Sequence, residues 1–502
     1  MTPNAKKIDY EFGGPLGAAA IVFGLPVLVY AFFFACNDIS GCPAPGLLNP
    51  RDLTWNVVKD QIPWPEAGFA GFITLEAAGW TFAYYLLSLV LFRVLPSQRV
   101  LGAKLSESGR PLDYSFNGMD LFALVDATSI QTEILAAFSS TLVQVAACAV
   151  GTYVWGADFV VWRWIDENYL QLLTANIILS LAISIYVYAA SFSVKPGNSQ
   201  LRELAKGGHT GNLMYDFYIG RELNPRIALP VFGKIDIKTW LEMRPGLTGW
   251  LLLDLAFMAK QYRNYGYITD SMVFVTAIQG YYVLEGQYAE AGILSMMDII
   301  TDGLGFMLTF GDIVWVPFIY SMQCRYLAVY PTQLGWPGLV ALSSVFAIGL
   351  YIFRASNTQK AVFRKTPEHP SVAGLSYLKT KRGTRLLTSG WWGVSRHINY
   401  FGDWMQSLPF SLATGLAGYV ILPSGALAAS DVLGYRMLDG TEVVQSVAKG
   451  WGVIFTAFHA LYFAVLLMHR EGRDDANCAE KYGADWERYK SVVRWKILPG
   501  IY

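Results

Sequence analysis

The segment Pro15–Ala35, PLGAAAIVFGLPVLVYAFFFA, contains no charged residue and is long enough to cross the hydrocarbon layer of a bilayer as a helix. Much of the chain has the same character, because 54% of its 502 residues are hydrophobic and only 15% are charged. A soluble core cannot hide that much apolar surface, so lipid must solvate much of it. The composition therefore disfavours the alternative of a large soluble helical protein.

Further charge-poor stretches of similar length predict more membrane spans. They are Gly68–Phe92, Ile134–Trp155, Leu170–Val194, Trp336–Phe353, Trp404–Leu422 and Gly450–Met468. The region Thr248–Tyr330 holds about three more, interrupted by acids. Because no linker or internal repeat separates the spans, we expect a single domain, 1–502. Its fold class is all-α, a polytopic membrane bundle of about ten helices without a Rossmann domain.

Loop charges predict the orientation of the chain in the membrane. The loops after the second and fourth spans are rich in Lys and Arg, whereas Ala35–Glu66 is poorer in them. The positive-inside rule places the short N-terminal segment 1–14 and the basic C-terminal tail in the cytoplasm. Pro15–Ala35 lacks a small-residue cleavage pattern, so we expect it to stay as a transmembrane helix.

The cysteines give one open question and no metal site. Cys36 and Cys42 lie in the loop placed away from the cytoplasm, where an oxidising compartment could either pair them or leave them as thiols. Cys478 has no second Cys or His at zinc spacing, so no metal is predicted. The formal net charge is zero and the chain has no nucleic-acid-type basic patch, so no nucleic-acid partner is predicted.

The segment Gly390–Asp403, GWWGVSRHINYFGD, indicates a binding surface at the edge of the bilayer. Trp and Tyr favour the membrane interface, but anchoring there does not require Arg396, His397, Asn399 and Asp403 beside them. A planar, anionic ligand would use all of these groups.

Two more polar groups fit the same ligand. Lys360 and Arg364 are four residues apart, so on a helix they share one face and could hold phosphates. The alternative is a pair of cations at the membrane interface, whose aliphatic stems lie along apolar surface and whose charged ends extend into water. The tail supplies cations, rings and a carboxylate, namely Arg470, Arg473, Asp474, Lys481, Tyr482 and Tyr489. A dinucleotide would use the cations for phosphates, the rings for stacking and the carboxylate for ribose hydroxyls. The chain has no G-x-G-x-x-G after a strand, so such a site would lie between helices.

Carboxylates recur among apolar residues in the region Thr248–Tyr330. They are Asp254, Asp270, Glu285, Glu290, Asp298, Asp302 and Asp312. A charged carboxylate in mid-membrane costs about 2.5–3.5 kcal/mol, so several together imply a cavity, pairing or protonation. Three interpretations stay open: an ion pathway through a transporter, a proton donor for chemistry on a lipid, or helix caps and loop residues.

Long motifs resemble the signatures of the membrane sterol reductase family. Gly211–Arg226, GNLMYDFYIGRELNPR, is similar to the first signature, and Leu467–Gly483, LMHREGRDDANCAEKYG, is similar to the second. Within the family, Tyr10–Gly17 and Met297–Asp312 are most similar to the sterol C-14 reductases and to the reductase-like part of the lamin B receptor. The resemblance covers essentially the whole chain.

This resemblance implies NADPH as the reductant and a multi-pass enzyme of the endoplasmic reticulum membrane. It places the cofactor in the cytoplasmic segments 354–403 and 469–502. The cofactor contacts it implies are Lys360, Arg364, Leu387, Trp392, Asn399, Tyr400, Asp474, Cys478, Lys481, Tyr482 and Tyr489. It also implies a sterol that arrives from the bilayer, with membrane lipids and other enzymes of sterol synthesis as partners.

The implied reaction saturates the C14–C15 double bond of a Δ8,14-diene sterol. An alkene without a neighbouring carbonyl must be protonated before it accepts hydride, and by resemblance Tyr282 is the donor. The alternative is that Tyr282 is only an aromatic wall for the sterol. A phenol with a pKa near about 10 keeps its proton at neutral pH, and Glu285 or Asp302 could reload it. The alternatives are a sister reductase acting at C-24 or C-7, a non-catalytic sterol-binding or receptor-like protein, and, less favoured, a transporter.

Overall fold

A computed structural model of the protein describes residues 10–49, 51, 53–96, 99–105, 109–116, 136–195, 201–425, 434–445 and 448–502. The fold is mostly helical and includes short antiparallel strands. Residues 1–9 of the predicted N-terminal segment lie outside the described residues, and so do residues 134 and 135 of the predicted span Ile134–Trp155.

Six helices in the described part of the chain are long and apolar enough to cross a membrane. They are Gly14–Ala35, Gly68–Val94, Ala137–Asp158, Tyr169–Ser191, Gly335–Lys365 and Val453–Tyr482. Large apolar side chains point outward from them; Leu16, for example, is 86% exposed and Tyr153 is 92% exposed. Only lipid can cover so much apolar surface, so the protein is a multi-pass membrane protein.

The predicted span Trp404–Leu422 is wrong. The helix there begins at Ile398 and ends at Leu412, and Tyr419–Leu422 forms a strand instead. Between them Gly415 has a φ of 61° and Gly418 a φ of 135°, values that glycine adopts without a steric penalty. Hydropathy alone does not register this turn, because the residues on both sides of it are apolar.

The acid-bearing region Thr248–Tyr330 also departs from the prediction. Two helices of 19 residues each, Leu247–Tyr265 and Asp270–Tyr288, stand in place of two expected spans. The third is divided into shorter elements. They are the helix Met297–Ile300, the contiguous helices Phe306–Phe310, Gly311–Trp315 and Val316–Tyr320, of which the middle one is a π-helix, and the helix Met322–Val329. None of these helices belongs to the six candidate spans. The count of about ten spans therefore remains a prediction.

The chain divides into two compact units. The first comprises Met1–Ile268, Thr276–Pro331 and Gly418–Lys449, and the second comprises Thr269–Val275, Thr332–Ala417 and Gly450–Tyr502. The α-helices of the spans Gly68–Val94 and Ala137–Asp158 are Leu75–Val94 and Ala136–Trp155. Besides the helices already named, the first unit contains Trp55–Gln61, Val160–Glu167, Leu213–Ile219 and Ile237–Leu241. Its strands are Gly41–Cys42, Arg99–Lys104, Pro111–Ser115, Arg226–Leu229, Gly233–Asp236, Tyr419–Leu422, Gly434–Arg436 and Glu442–Val444.

A disulfide bond joins Cys36 to Cys42 in the first unit, which settles the open pairing. Cys42 lies in a short strand whose partner is Tyr419, and this strand forms the edge of a four-stranded antiparallel sheet. The bond therefore joins the end of the first membrane helix to a strand that pairs with residues nearly four hundred positions later.

The first signature motif stabilises local structure in the first unit. Asn212 caps the helix Leu213–Ile219 by accepting the N–H of Tyr215 at 3.0 Å. Asp216 is buried and accepts from the backbone N–H of Thr210 at 2.8 Å and of Gly211 at 3.0 Å. The motif's polar residues thus satisfy the ends of its own helix and loop.

The second unit is built around long helices and one β-hairpin. Its helices are Gly335–Lys365, Trp391–Val394, Ile398–Leu412, Val453–Thr456, Phe458–Tyr482 and Ala484–Val492, and its strands are Tyr377–Lys379 and Arg385–Leu387. Two helices approach closely at Gly349 and Gly402, where an added Cβ on either residue would come within 2.8 Å of the other's carbonyl oxygen. Small residues permit such close backbone contact between membrane helices.

Candidate functional site

All eleven predicted cofactor residues lie in the second unit. Lys360 and Arg364 lie in the last two turns of the helix Gly335–Lys365, and Arg364 is exposed. The Lys360 ammonium lies 3.8 Å from the ring centroid of Trp392, a cation–π contact. The two predicted cations are thus on one face, and one of them already rests on a predicted stacking ring.

Trp392 is held by the helix that carries the cations. Its Nε1 donates to the carbonyl of Ser356 at 2.8 Å, and the neighbouring Trp391 N–H donates to Oε1 of Gln359 at 3.0 Å. Gly390 has a φ of 64°, and a Cβ there would meet the Gln359 side chain at 2.7 Å. A glycine is therefore required for the tryptophan segment to lie against this helix.

Leu387 is buried beneath the same tryptophan. It packs in an apolar cluster with Phe363, Val372 and Trp392. The strand that carries it, Arg385–Leu387, pairs with Tyr377–Lys379 in an antiparallel hairpin. Leu387 therefore supports the wall of the candidate site from its apolar side.

Asp474 is joined to the tryptophan-rich segment by a histidine. Nε2 of His397 lies 2.9 Å from Oδ2 of Asp474, and the thiol of Cys478 donates to the same oxygen at 3.9 Å. The His397 ring stacks on the ring of Tyr400 with 4.9 Å between centroids. The residues His397, Tyr400, Asp474 and Cys478 therefore lie next to one another. The sequence placed all four in one ligand site, and the last three are predicted cofactor contacts.

Arg396 does not serve as a ligand group, contrary to the prediction that a planar, anionic ligand would use all the polar groups of Gly390–Asp403. Its guanidinium is buried and donates to the carbonyls of Val493 and Arg494 at 3.0 Å each. It also lies 3.5 Å from the carboxylate of Glu471, which is fully buried. This charge joins the tail to the segment, and its burial leaves it no access to a soluble ligand.

The aromatic residues of the tail form a stack. Trp486 and Tyr489 are buried with ring centroids 5.0 Å apart, and the ring of Tyr482 lies 6.4 Å from Trp486. Burial raises the pKa of Tyr489 to about 12, so its hydroxyl stays protonated and donates to the carbonyl of Trp392 at 3.5 Å. Lys481 is exposed, with its ammonium 5.1 Å from the Tyr482 ring centroid.

Besides Nε of the buried Arg396, two buried polar atoms of the segment Gly390–Asp403 lack a hydrogen-bond partner. They are Oδ1 of Asn399 and Nδ1 of His397. Orphaned buried polar atoms are costly and usually mark a place where water or a ligand completes the network. Cations, aromatic rings, a carboxylate and an unpaired amide oxygen are a donor and acceptor set that fits an anionic dinucleotide.

The predicted catalytic residues lie in the first unit. Tyr282 and Glu285 are half-buried and three residues apart on the helix Asp270–Tyr288, so they share a face. The Tyr282 ring lies 6.0 Å from that of buried Trp250. Asp302 is buried in the turn after Met297–Ile300.

A buried lysine fixes the turn that contains Asp302. The ammonium of Lys238 donates to the carbonyls of Asp298 and Asp302 at 2.6 Å each. Burial lowers the pKa of Lys238 to about 8, so near neutral pH this ammonium loses its proton more readily than an exposed one.

Two of the acids in this region have structural roles. Both oxygens of Asp270 accept backbone N–H groups at the start of the helix Gly335–Lys365, from Leu334 at 2.8 Å and from Gly335 at 2.7 Å. Glu290 pairs with Arg244 at 2.8 Å and accepts the N–H of Ala137 at 2.9 Å. These contacts agree with the interpretation of such acids as caps and buried partners.

The first unit is thus a bundle of membrane helices that carries Tyr282 and buried acids, and the second carries a cluster of groups suited to an anionic dinucleotide. These features define a multi-pass membrane protein with a candidate site for an anionic ligand. The chain belongs to the Ergosterol biosynthesis ERG4/ERG24 family, whose family profile matches residues 6–502.

Relatives in this family match over nearly their full length. The chain is 59% identical to the Delta(14)-sterol reductase ERG24B of Gibberella zeae over 494 residues, which are 98% of each chain. It is 55% identical to the Delta(14)-sterol reductase of Neurospora crassa over 99% of this chain and 97% of that one. A more distant relative, the Delta(14)-sterol reductase erg24 of Schizosaccharomyces pombe, is 35% identical over 99% of this chain. The family resemblance predicted from the motifs is confirmed.

Proposed function

We infer that this protein is an oxidoreductase of sterol biosynthesis that reduces the C14–C15 double bond of a sterol intermediate. The observation that carries the inference is the 59% identity to a Delta(14)-sterol reductase over 98% of both chains.

We propose NADPH as the reductant. The support is the donor and acceptor set of the second unit: Lys360, held on the ring of Trp392, and Arg364 for phosphates, the rings of Tyr400 and Tyr482 for stacking, and Asp474 for ribose hydroxyls. The amide oxygen of Asn399 would accept a hydrogen bond that it lacks within the protein. When bound, NADPH supplies hydride to the electron-deficient carbon of the substrate.

The acid of the reaction would be Tyr282. Its Oη would deliver a proton to one alkene carbon and leave a tertiary cation at the other. The substrate has no carbonyl to withdraw charge, so protonation must come first. Glu285, one helical turn away, would return a proton to Tyr282, and Asp302 is the second candidate for that role. Carboxylates near the alkene would also stabilise the developing cation, more strongly in a dry cavity than in water.

The solubilities of the sterol and of the cofactor predict from which phase each one reaches the protein. A sterol partitions into lipid, so we propose that it reaches the protein from the bilayer, whereas an anionic cofactor must come from water. We propose the endoplasmic reticulum as the membrane, with other sterol-biosynthetic enzymes as neighbours, in line with the family. Membrane lipids cover the exposed apolar faces of the spans.

The proposal is tested with purified protein in nanodiscs, NADPH and a Δ8,14-diene sterol, with products identified by gas chromatography and mass spectrometry. We expect the Δ8 sterol, and none when NADPH is omitted. A parallel reaction offers substrates with a C-24 or a C-7 double bond. Reduction of one of these, with the diene untouched, would overturn the C-14 assignment in favour of a sister activity.

A second arm tests the reductant. Deuteride on the transferred position of the nicotinamide should appear at C-14 of the sterol, whereas deuterium from the solvent should appear at C-15. Turnover that continues with a different reductant and carries no label from NADPH would contradict the cofactor assignment and leave the sterol reaction in place.

A further inference from the structure

His397 contacts two of the proposed NADPH-binding residues. Its Nε2 lies 2.9 Å from Oδ2 of Asp474, and its ring stacks on that of Tyr400 at 4.9 Å with an interplanar angle of 25°. A carboxylate can only accept, so Nε2 must carry the hydrogen and donate it. One side chain therefore restrains both the carboxylate and the ring.

The two partners in this hydrogen bond differ in exposure. The His397 side chain is 7% exposed, whereas that of Asp474 is 42% exposed. Among the described residues, both side chains that donate to Asp474, His397 and Cys478, use Oδ2. Asp474 is thus an accessible carboxylate held by a buried donor, and its Oδ1 can accept from a ligand hydroxyl.

Backbone contacts fix His397 independently of Asp474. Its N–H donates to the carbonyl of Lys496 at 2.8 Å, and the N–H of Arg396 donates to the carbonyl of Trp495 at 2.9 Å. Ser395 Oγ donates to the carbonyl of Ile497 at 3.0 Å.

A buried carboxylate also holds Arg396, the residue before His397, in place. Glu471, one turn before Asp474 on the helix Phe458–Tyr482, lies 3.5 Å from the guanidinium of Arg396 and 3.1 Å from the ammonium of Lys496. A well-packed, hydrogen-bonded segment keeps its side chains in one rotamer, so the imidazole presents Nε2 at a set position.

We propose that His397 is a positioning residue that holds the Asp474 carboxylate and the Tyr400 ring in the arrangement that NADPH binds. The proposal rests on the proposed function, in which both of these residues contact the cofactor. Without the donor, the carboxylate is free to rotate, and part of the binding free energy then goes into ordering it. The hydrogen bond to Asp474 has the larger effect, because it involves a charged group.

Two substitutions separate the hydrogen bond from the ring. His397→Gln keeps an N–H donor and removes the ring, whereas His397→Phe keeps a ring and removes the donor. The dissociation constant for NADPH is measured by fluorescence titration without sterol, so that no turnover is involved. We expect His397→Phe to weaken binding about tenfold and His397→Gln to stay within about threefold of the wild type. His369→Gln, at an exposed histidine, is the matched control and should bind as the wild type does.

A double-mutant cycle decides whether His397 acts through Asp474. If it does, adding His397→Phe to Asp474→Ala causes no further loss of NADPH affinity, because the carboxylate to be positioned is already gone. Additive losses would overturn the proposal, as would an unchanged affinity in His397→Phe. A wild type that does not bind NADPH would instead refute the cofactor assignment itself, so the two failures are distinguishable.

Discussion

Tyr282 is the residue on which the proposed chemistry depends most. It is half-buried, lies against the ring of Trp250 at 6.0 Å between centroids, and precedes Glu285 by one turn. We expect Tyr282→Phe to lower turnover by about 10²–10⁴-fold, the usual range for loss of a general acid. Affinity for NADPH should not change, since the ring shape is kept. Product formation and cofactor binding are measured on the same preparation.

The neighbouring tyrosine provides the control. Tyr281→Phe also removes a phenol hydroxyl, but from the more exposed side of the helix, and should leave turnover within about twofold of the wild type. If Tyr282→Phe also keeps its turnover, another group is the acid, and Glu285 and Asp302 become the next targets.

Arg364 tests which part of the cofactor the cations bind. Lys360 also covers the ring of Trp392, so its removal disturbs packing and charge together. Arg364 is exposed, and Arg364→Ala removes mainly charge. We expect it to weaken NADPH binding about tenfold and NADH binding less than about threefold, because only NADPH carries the additional phosphate. Titrations with both nucleotides give the ratio.

Lys365→Ala is the matched control, because it removes an exposed cation from the adjacent position. It should change neither affinity beyond about twofold. Equal weakening of NADPH and NADH by Arg364→Ala would show that this arginine contacts a group common to both nucleotides.

At the residue scale the sequence predicted which residues lie together, but not which of them are accessible to a ligand. A dinucleotide needs cations, aromatic rings and a carboxylate, and for that reason the sequence placed Lys360, Trp392 and Asp474 in one site. The same argument could not separate Arg396, which is buried against Glu471, from residues that face a ligand. Residue type gives the sign of a charge, but the fold decides whether water reaches it.

The helices Gly335–Lys365 and Ile398–Leu412 depend on two glycines. A Cβ on Gly402 would lie 2.6 Å from the backbone nitrogen of Phe353, a contact that no side-chain rotation relieves. We expect Gly402→Ala to lower the free energy of unfolding by about 1–3 kcal/mol, the usual cost of overpacking, although alanine has the higher helix propensity. Thermal unfolding in detergent, followed by tryptophan fluorescence, measures the change.

Gly472→Ala is the matched control on another helix of the same unit. No atom outside its own helical turn lies within 4 Å of a Cβ placed there. Propensity should then dominate and raise the free energy of unfolding by up to about 1 kcal/mol. A loss of stability in both variants would mean that close packing at Gly402 is not what distinguishes them.

Hydropathy predicted the membrane elements wherever length and apolar composition agree. Gly14–Ala35 and Tyr169–Ser191 begin and end near their predicted positions. Gly335–Lys365 begins near its predicted start but continues well past the predicted end at Phe353. Hydropathy was wrong at Trp404–Leu422, where the positive φ values of Gly415 and Gly418 redirect an apolar chain into a strand. A window average over residue types carries no information about backbone dihedral angles or about strand partners far along the sequence.

The disulfide bond affects the whole molecule, because Cys42 lies in a strand that pairs with Tyr419 far along the chain. Cys36 and Cys42 are six positions apart, and closing so short a loop stabilises by about 2 kcal/mol in the chain-entropy account. We expect the double variant Cys36→Ser/Cys42→Ser to lose about that much free energy of unfolding. Cys148→Ser, at a free cysteine, is the control.

The same bond tests the predicted orientation. A disulfide persists in an oxidising compartment, so the loop Ala35–Glu66 should lie on the side away from the cytoplasm. Cys36 and Cys42 are themselves buried, so the label is directed to a cysteine introduced at the exposed Ile39 of the same loop. In sealed microsomes, a membrane-impermeant maleimide should fail to label the Ile39→Cys variant, and should label it once detergent opens the vesicles. Labelling in intact vesicles would reverse the orientation.

All proposed cofactor contacts lie in one of the two compact units, which gives a prediction for the whole chain. A ligand at about 100 times its dissociation constant stabilises the state that binds it by about 2.7 kcal/mol. Amide exchange follows local opening, so NADPH should slow hydrogen–deuterium exchange in peptides from 354–403 and 469–502. The hairpin of Arg226–Leu229 and Gly233–Asp236, in the other unit, should exchange unchanged. The Arg364→Ala variant at the same NADPH concentration should show weaker protection. If protection instead appeared in that hairpin and not in the two segments, NADPH would bind elsewhere, and the cluster around Trp392 and Asp474 would have only a structural role.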